Sequence, residues 1–204
     1  MDLQNLDYKS IAEKIISLQD ADIAVRDKLA KNGQLNDGYN AEMRRLHNSN
    51  AKVLSEIMDV IGYPTIEKVG TEANAAAWLV VQHAIDQPVF MKKCAKLLQK
   101  AVSEQQADAK HLAYLTDRIA VFKGNPQLYG TQFDWDENGE LSPNPFDNLD
   151  KVNERRKSIG LNTIEDQTAM IRTHAKNEHQ SPPGNFEERK QEIANWKKNV
   201  GWIR

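Results

Sequence analysis

The stretch TEANAAAWLVVQHA, residues 71–84, decides the fold class of this chain. Its side chains are apolar nearly all round a helix, and the alanines at 75–77 allow a neighbouring element to approach closely. A helix that is apolar on every side is buried in the interior of a protein. We therefore expect this helix to lie at the centre of a helical domain.

Two amphipathic helices are predicted on the N-terminal side of this central helix. The first carries an apolar stripe in which Asp22 occupies the place of a missing member. The stripe consists of Ile11, Ile15, Leu18, Val25 and Leu29. A second helix is predicted from about Asp37 to Ile61, because the proline of Gly62-Tyr63-Pro64 cannot continue the helical hydrogen bonds. Two long helices with a short polar loop between them favour an antiparallel hairpin.

Further helices and one β-hairpin are predicted on the C-terminal side. Pro88 suits the first turn of a fourth helix, and a fifth covers residues 111–122. Turn residues at 136–139 lie between two short segments and indicate a small β-hairpin near residues 131–142. The sequence thus predicts an all-α bundle or array of about seven or eight helices with one hairpin insertion. We expect a single helical domain over residues 1–179 and a linker with a C-terminal docking helix over residues 180–204.

The composition argues against several classes of protein. The 204 residues are 40% hydrophobic and 27% charged, which is typical of a globular chain. A net charge of -2 argues against a nucleic-acid-binding protein. The single cysteine, Cys94, excludes an intramolecular disulfide and a multi-cysteine zinc site, and its apolar setting predicts a buried, inert thiol.

The hydrophobic segments argue against a membrane protein. The longest apolar run, residues 75–81, is far shorter than the roughly 20 residues that span a bilayer. The first residues lack the basic region and apolar segment of a secretory signal. We therefore expect a cytoplasmic protein that binds neither membrane nor nucleic acid.

Two polar segments in the N-terminal half are candidate site residues. Asp22 interrupts an apolar stripe and Arg26 lies four residues on, which predicts either an inward salt bridge or a charged pair at a cleft. Gln82 and His83 end the central helix, with Asp86 at the (i, i+3) position from His83. Such a pair can orient an imidazole, although a bond to a backbone carbonyl is the simpler interpretation. A metal needs three or four ligands and no HExxH motif is present, so neither a metal nor another cofactor is predicted.

The third candidate segment is the polar face of the fifth helix. It carries His111, Tyr114 and Arg118, which suit a small polar or anionic ligand better than the usual Glu and Lys. Just downstream, Tyr129-Gly130-Thr131-Gln132 adds hydroxyls, an amide and a glycine that permits close backbone approach. The alternative interpretation is a solvated helix face followed by an ordinary turn. Asp117 is expected to point elsewhere and brace the helix.

These segments also resemble a family of uncharacterised bacterial proteins of about 200 residues. The resemblance lies in AAAWLVVQHA (75–84), the cysteine that follows, and HLAYLTDRIAVFKGNPQLYGTQF (111–133). Weaker blocks are ADIAVR (21–26), GYPT (62–65) and VNERRKSIGL (152–161). The pattern of WLxxQHA, HLAYLTDR and GxPQLYGTQF is the specific part of this resemblance.

Carried over by position, the resemblance implies a candidate site but no reaction, because the family has no established activity. The chain departs from the family pattern at Ile23 and Ile85, where a glutamine and an aspartate are expected. The second departure weakens any metal site that would use that acid. The positions implied by the resemblance are Asp22, Arg26, Asn50, Trp78, Gln82, His83, His111, Tyr114, Asp117, Arg118, Gln127, Tyr129, Thr131, Gln132, Arg155 and Arg156.

Two functions remain open from the sequence. In the first, the three segments converge in a pocket where His83 or His111 is the general acid or base of a hydrolytic or proton-transfer reaction. The substrate would be a small polar molecule or a peptide, held by ligand-binding side chains. These are Asp22, Arg26, Gln82, Tyr114, Arg118, Tyr129, Thr131 and Gln132.

The second possible function is a non-catalytic protein-interaction module. Its docking surface would include Trp196 and Trp202 of the last helix, and its polar groups would form a structural network. The apolar stripe of that helix must be buried, either against the domain or against a second copy in a homodimer.

Overall fold

The computed structural model describes residues 7–34 and 39–204 of the chain. Within those residues it contains eight α-helices and one two-stranded antiparallel hairpin, which confirms the predicted fold class. Contacts divide the chain into two compact units, residues 1–108 and residues 109–204. The predicted organisation into residues 1–179 and 180–204 stays a prediction. Among the described residues, no helix combines the length and hydrophobicity that crossing a membrane requires.

The first unit consists of four helices whose ends follow local capping rules. They are α1 (Tyr8–Lys31), α2 (Ala41–Ile61), α3 (Ile66–His83) and α4 (Pro88–Ser103). The side chains of Asp7 and Asn40 accept hydrogen bonds from the first turns of α1 and α2. Gly62, with a φ of 70°, ends α2 where it was predicted to end. The predicted start of α2 at Asp37 lies outside the described residues.

Helix α3 is the central helix of the first unit, as the sequence predicts. It packs against α1, α2 and α4, and its valines and all of its alanines except Ala75 are buried. It begins at Ile66, earlier than predicted, because a short helical segment precedes a kink at Gly70. The φ of 80° at Gly70 is left-handed backbone that glycine adopts without strain.

Helix α4 buries the single cysteine. Cys94 is fully buried, with its Sγ atom 3.8 Å from Met58 Sδ. Burial raises the pKa of the Cys94 thiol to about 12, so the thiol is protonated at neutral pH. The buried position that the sequence predicts is confirmed. Val89, in the first turn of this helix, is 82% exposed.

The second unit contains the hairpin and the remaining four helices. Its elements are α5 (Ala109–Phe122), β1 (Phe133–Trp135), β2 (Leu141–Pro143), α6 (Leu149–Ser158), α7 (Ile164–Asn177) and α8 (Phe186–Val200). Helix α7 packs against β2 and α6. Thr163 and Asn185 cap α7 and α8 with their side chains.

The last helix docks within the second unit. The rings of Trp196 and Trp202 lie 5.2 Å and 5.0 Å from the ring of Phe122 at the end of α5. Lys197 donates from Nζ to the carbonyl of Val121 at 2.9 Å. Arg189 forms a bidentate ion pair with Asp134 of β1. The helix therefore buries indole surface against its own unit, and a homodimer through it stays a prediction.

Candidate functional site

Asp22, His47 and His83 meet inside the first unit, one from each of α1, α2 and α3. Nδ1 of His83 lies 2.6 Å from Oδ2 of Asp22, and Nε2 of His47 lies 3.2 Å from the same oxygen. The two imidazole rings are 4.8 Å apart between centroids. The side chains of Asp22 and His47 are 2% and 5% exposed, whereas that of His83 is 25% exposed. Of the three residues, His83 is the one that reaches solvent.

Helix periodicity explains why these side chains point inward. Asp22 lies four residues after Leu18 and seven before Leu29, so it shares the buried stripe of α1. His47 precedes Ala51 and Leu54 by four and seven residues on the buried face of α2. Because α3 packs against both α1 and α2, its last residue, His83, meets both stripes.

The two imidazoles set the charge state of Asp22. Burial by itself would raise the pKa of this carboxyl group, but interaction with His47 and His83 outweighs burial and holds the pKa well below its usual range. Asp22 is therefore a buried carboxylate anion that faces two imidazole rings.

Tyr39 holds the far side of the His47 ring. Its hydroxyl lies 2.7 Å from Nδ1 of His47, and the two rings are stacked. Burial, with a contribution from Asp86, raises the pKa of Tyr39 above its usual range, so the hydroxyl keeps its proton at neutral pH. The contact fixes the ring orientation and directs Nε2 of His47 towards Asp22.

An ion pair between Arg44 and Asp86 lies in the same unit. The two side chains are in direct contact, and both groups act electrostatically on Tyr39. The predicted (i, i+3) arrangement of His83 and Asp86 on one helix is wrong, because α3 ends at His83. His83 pairs with Asp22 of α1, and Asp86 pairs with Arg44 of α2.

Of the two alternatives considered for Asp22 and Arg26, the inward salt bridge does not form. Within residues 7–34 and 39–204, no ion pair connects them, and the side chain of Arg26 is exposed. The physical reason is that α1 buries Asp22 against α2 and α3, where its carboxylate contacts two imidazoles instead of Arg26. Gln82, the other candidate on α3, immediately precedes His83 in the sequence, and it is buried.

In the second unit, Asp117 organises the turn that follows α5. Its fully buried carboxylate accepts hydrogen bonds from the backbone N–H groups of Leu128, Tyr129 and Thr131 and from the Thr131 hydroxyl. Burial raises the pKa of Asp117, while these hydrogen bonds oppose the rise. Asp117 was expected to brace its own helix; it instead braces the turn at 128–131, because the amides of this turn need an acceptor.

The predicted ligand-binding side chains beside Asp117 contact one another. Arg118 donates from Nε to Oε1 of Gln132 at 3.1 Å, and Gln132 donates from Nε2 to the Thr131 hydroxyl at 3.0 Å. The carbonyl of Tyr129 accepts from the buried guanidinium of Arg156 at 2.8 Å. These side chains therefore form a hydrogen-bond network that stabilises the turn. The alternative interpretation, a solvated helix face followed by an ordinary turn, does not describe this arrangement.

The candidate residues therefore fall into two groups. Asp22 and His83 are in contact in the first unit, which also contains Arg26 and Gln82. The second unit contains His111, Tyr114, Arg118, Tyr129, Thr131 and Gln132, of which His111 and Tyr114 are half-buried on α5. Their predicted convergence in one pocket stays a prediction.

Sequence reasoning missed His47 and Tyr39. His47 lies on the buried face of α2, although a polar side chain is not expected on an apolar stripe. A spacing signal was present, because His47 continues the 4-3-4-3 series of Ala51, Leu54, Met58 and Ile61. Tyr39 carries no such signal, because it precedes the helix.

One comparison with known proteins gives a match. Residues 9–176 match the sequence model described as "Family of unknown function (DUF6624)". No curated protein and no solved structure matches the chain. The comparisons therefore supply no activity, and the chemistry has to be inferred from the site itself.

Proposed function

The chain belongs to this family of unknown function, and from its own geometry we propose that it is a hydrolytic enzyme. The reactive centre is the cluster of Asp22, His47 and His83. The substrate is a small polar molecule with an ester, amide or phosphoester bond. Water, activated by the cluster, is the nucleophile.

One observation carries this proposal: a buried carboxylate is shared by two imidazoles, one of which opens to solvent. Asp22 orients His83 through the 2.6 Å contact between Oδ2 and Nδ1. A ring held in this way presents a fixed edge to an incoming molecule, which lowers the entropy cost of reaching the reactive geometry. His83 is therefore the catalytic residue, and Asp22 and His47 are positioning residues for it.

The interaction-module alternative loses its main support from the two tryptophans at the C-terminal end. Trp202, which follows α8, is buried, and Trp196 of α8 lies edge-on to Phe122. Indoles that pack within their own unit are less available as anchors for a partner than exposed ones. The hydrolytic proposal rests on a cluster whose arrangement a simple scaffold does not require.

The test is a hydrolysis screen of the full-length chain as purified. The probes are p-nitrophenyl acetate, p-nitrophenyl phosphate and an aminoacyl p-nitroanilide. We expect His83→Ala to lower the rate on the accepted probe by about 100-fold or more, the usual effect of losing a group that assists proton transfer or holds the nucleophile. Circular dichroism checks that the variant is folded.

His174→Ala is the matched control for this substitution. His174 is exposed on α7 and pairs with Glu178, so its removal is the same chemical change outside the cluster. The control is expected to keep the parent rate. Equal rates for the parent protein and His83→Ala, or no turnover of any probe, would overturn the proposed hydrolytic function.

A further inference from the structure

We propose that Asp22, His47 and His83 bind a divalent first-row transition-metal ion, with Zn²⁺ as the best fit. The inference rests on the proposed function, because the bound ion would be the group that activates the water. The ligand atoms are Oδ2 of Asp22, Nε2 of His47 and Nδ1 of His83.

The geometry of the three atoms suits a single ion. All of them lie within 4.8 Å of one another. In a tetrahedral zinc site with bonds of about 2.0–2.2 Å, neighbouring ligand atoms are roughly 3.3–3.5 Å apart. The 3.2 Å between His47 and Asp22 already matches this spacing. The 2.6 Å between His83 and Asp22 has to lengthen by less than about 1 Å.

The nitrogen of His47 is a second, independent observation. Nε2 of His47 is buried and faces Oδ2 of Asp22, yet it lacks the alignment of a hydrogen bond with that oxygen. A buried nitrogen without a hydrogen bond needs an explanation, and a metal ion between His47 and Asp22 would provide it. The lone pair of Nε2 would then be used in coordination.

Tyr39 supports His47 in the manner of a metal-binding histidine. Such histidines use their second ring nitrogen in a hydrogen bond that fixes the tautomer and the ring orientation. Nδ1 of His47 has that bond, with the Tyr39 hydroxyl at 2.7 Å. When Nδ1 carries the proton and donates to the hydroxyl oxygen, Nε2 is free to bind the ion.

The donor set indicates the class of ion and its role. Two imidazoles and one carboxylate suit Zn²⁺, Co²⁺ or Fe²⁺, whereas Mg²⁺ and Ca²⁺ prefer oxygen ligands. Three protein ligands leave a coordination position for water, which is the pattern of catalytic zinc sites. His83 is the partly exposed ligand, so a substrate would reach the ion from the side of His83.

Sequence reasoning predicts no metal because it finds only one histidine with one nearby acid. The other two ligands come from other helices: His47 lies on α2 and Asp22 lies on α1. Asp86, the acid that follows His83 in the sequence, is not one of the three. The absence of a metal thus stays an untested prediction. We propose a metal site because the three ligand atoms lie close together.

The test is metal binding by the full-length chain after removal of metals with a chelator. Isothermal titration with Zn²⁺ is expected to give one site per chain, and Co²⁺ to give visible absorption bands of a four- or five-coordinate ion. His83→Ala and Asp22→Asn are expected to weaken the binding of Zn²⁺ by at least about 100-fold. His174→Ala is expected to bind like the parent chain. His47→Gln is a further ligand variant in case Asp22→Asn does not fold.

The outcomes separate this inference from the proposed function. Stoichiometric binding with metal-dependent hydrolysis supports both, and binding without turnover of any probe supports the metal site alone. Hydrolysis that depends on His83 in a chain that binds neither Zn²⁺ nor Co²⁺ overturns the metal site and leaves the hydrolytic function. Binding that persists unchanged in His83→Ala and Asp22→Asn also overturns the site.

Discussion

At the scale of single residues, the stability of the first unit depends on the groups that face its buried carboxylate. Asp22 is a carboxylate on the apolar stripe of α1, a position that costs stability unless opposite charge or donors face it. The groups that face it are imidazoles of two other helices. Tyr39 then fixes one of those imidazoles from behind. The contacts thus run from Tyr39 through His47 to Asp22, and they restrict the orientation of the His47 ring.

Tyr39→Phe tests the positioning role of that hydroxyl. Loss of the hydrogen bond to Nδ1 of His47 frees the ring orientation, so we expect the affinity for Zn²⁺ to fall by about 10-fold. Isothermal titration of the full-length variant measures this change.

Tyr63→Phe is the matched control for that experiment. Tyr63 is also buried, and its electrostatic neighbour is Cys94 rather than Asp22. Its affinity for Zn²⁺ should equal that of the parent chain. If both phenylalanine variants bind Zn²⁺ like the parent, Tyr39 has no positioning role.

At the scale of elements, the turn between α5 and β1 is fitted to α7 through one glycine. Gly130 has a φ of 61°, and a Cβ atom there would lie 2.2 Å from Cδ1 of Ile164. We expect Gly130→Ala to lower the free energy of unfolding by roughly 2–4 kcal/mol, from the left-handed backbone and from overpacking together. Urea denaturation followed by circular dichroism measures the loss.

Gly124→Ala separates the two causes. Gly124 has a φ of 73°, but no heavy atom lies within 4 Å of a Cβ built there. Its substitution should therefore cost only the backbone part, about 1–2 kcal/mol. Similar losses for the two variants would show that the contact with Ile164 is relieved by side-chain rotation.

At the scale of the whole molecule, ion binding should be visible as stability of the unit that contains the site. A ligand that binds only the folded state at a hundred times its Kd stabilises that state by about 2.7 kcal/mol. We expect Zn²⁺ at this excess to slow amide hydrogen exchange in α1, α2 and α3, because each supplies one ligand. Exchange is measured on the full chain with and without Zn²⁺. The same protection in His83→Ala would contradict the assignment of the ligands.

The sequence by itself determined the elements of the fold. Residues within a few positions of each other set where each element begins and ends. Examples are the helix starts at Thr163 and Asn185, the end of α2 at Gly62 and the hairpin turn at 136–139. Capping, proline and turn preferences act over that range, so they can be read along the chain. The burial of Cys94 follows from helical spacing in the same way.

Only the tertiary structure decided which polar groups meet. Asp22, His47 and His83 belong to three helices, and the spacing within one helix gives no information about which face of another it contacts. The same holds for Asp117, whose partners lie in the turn at 128–131 rather than on its own helix. Helix formation is governed by local backbone bonds, whereas the pairing of buried charges depends on how the packed faces are rotated against each other.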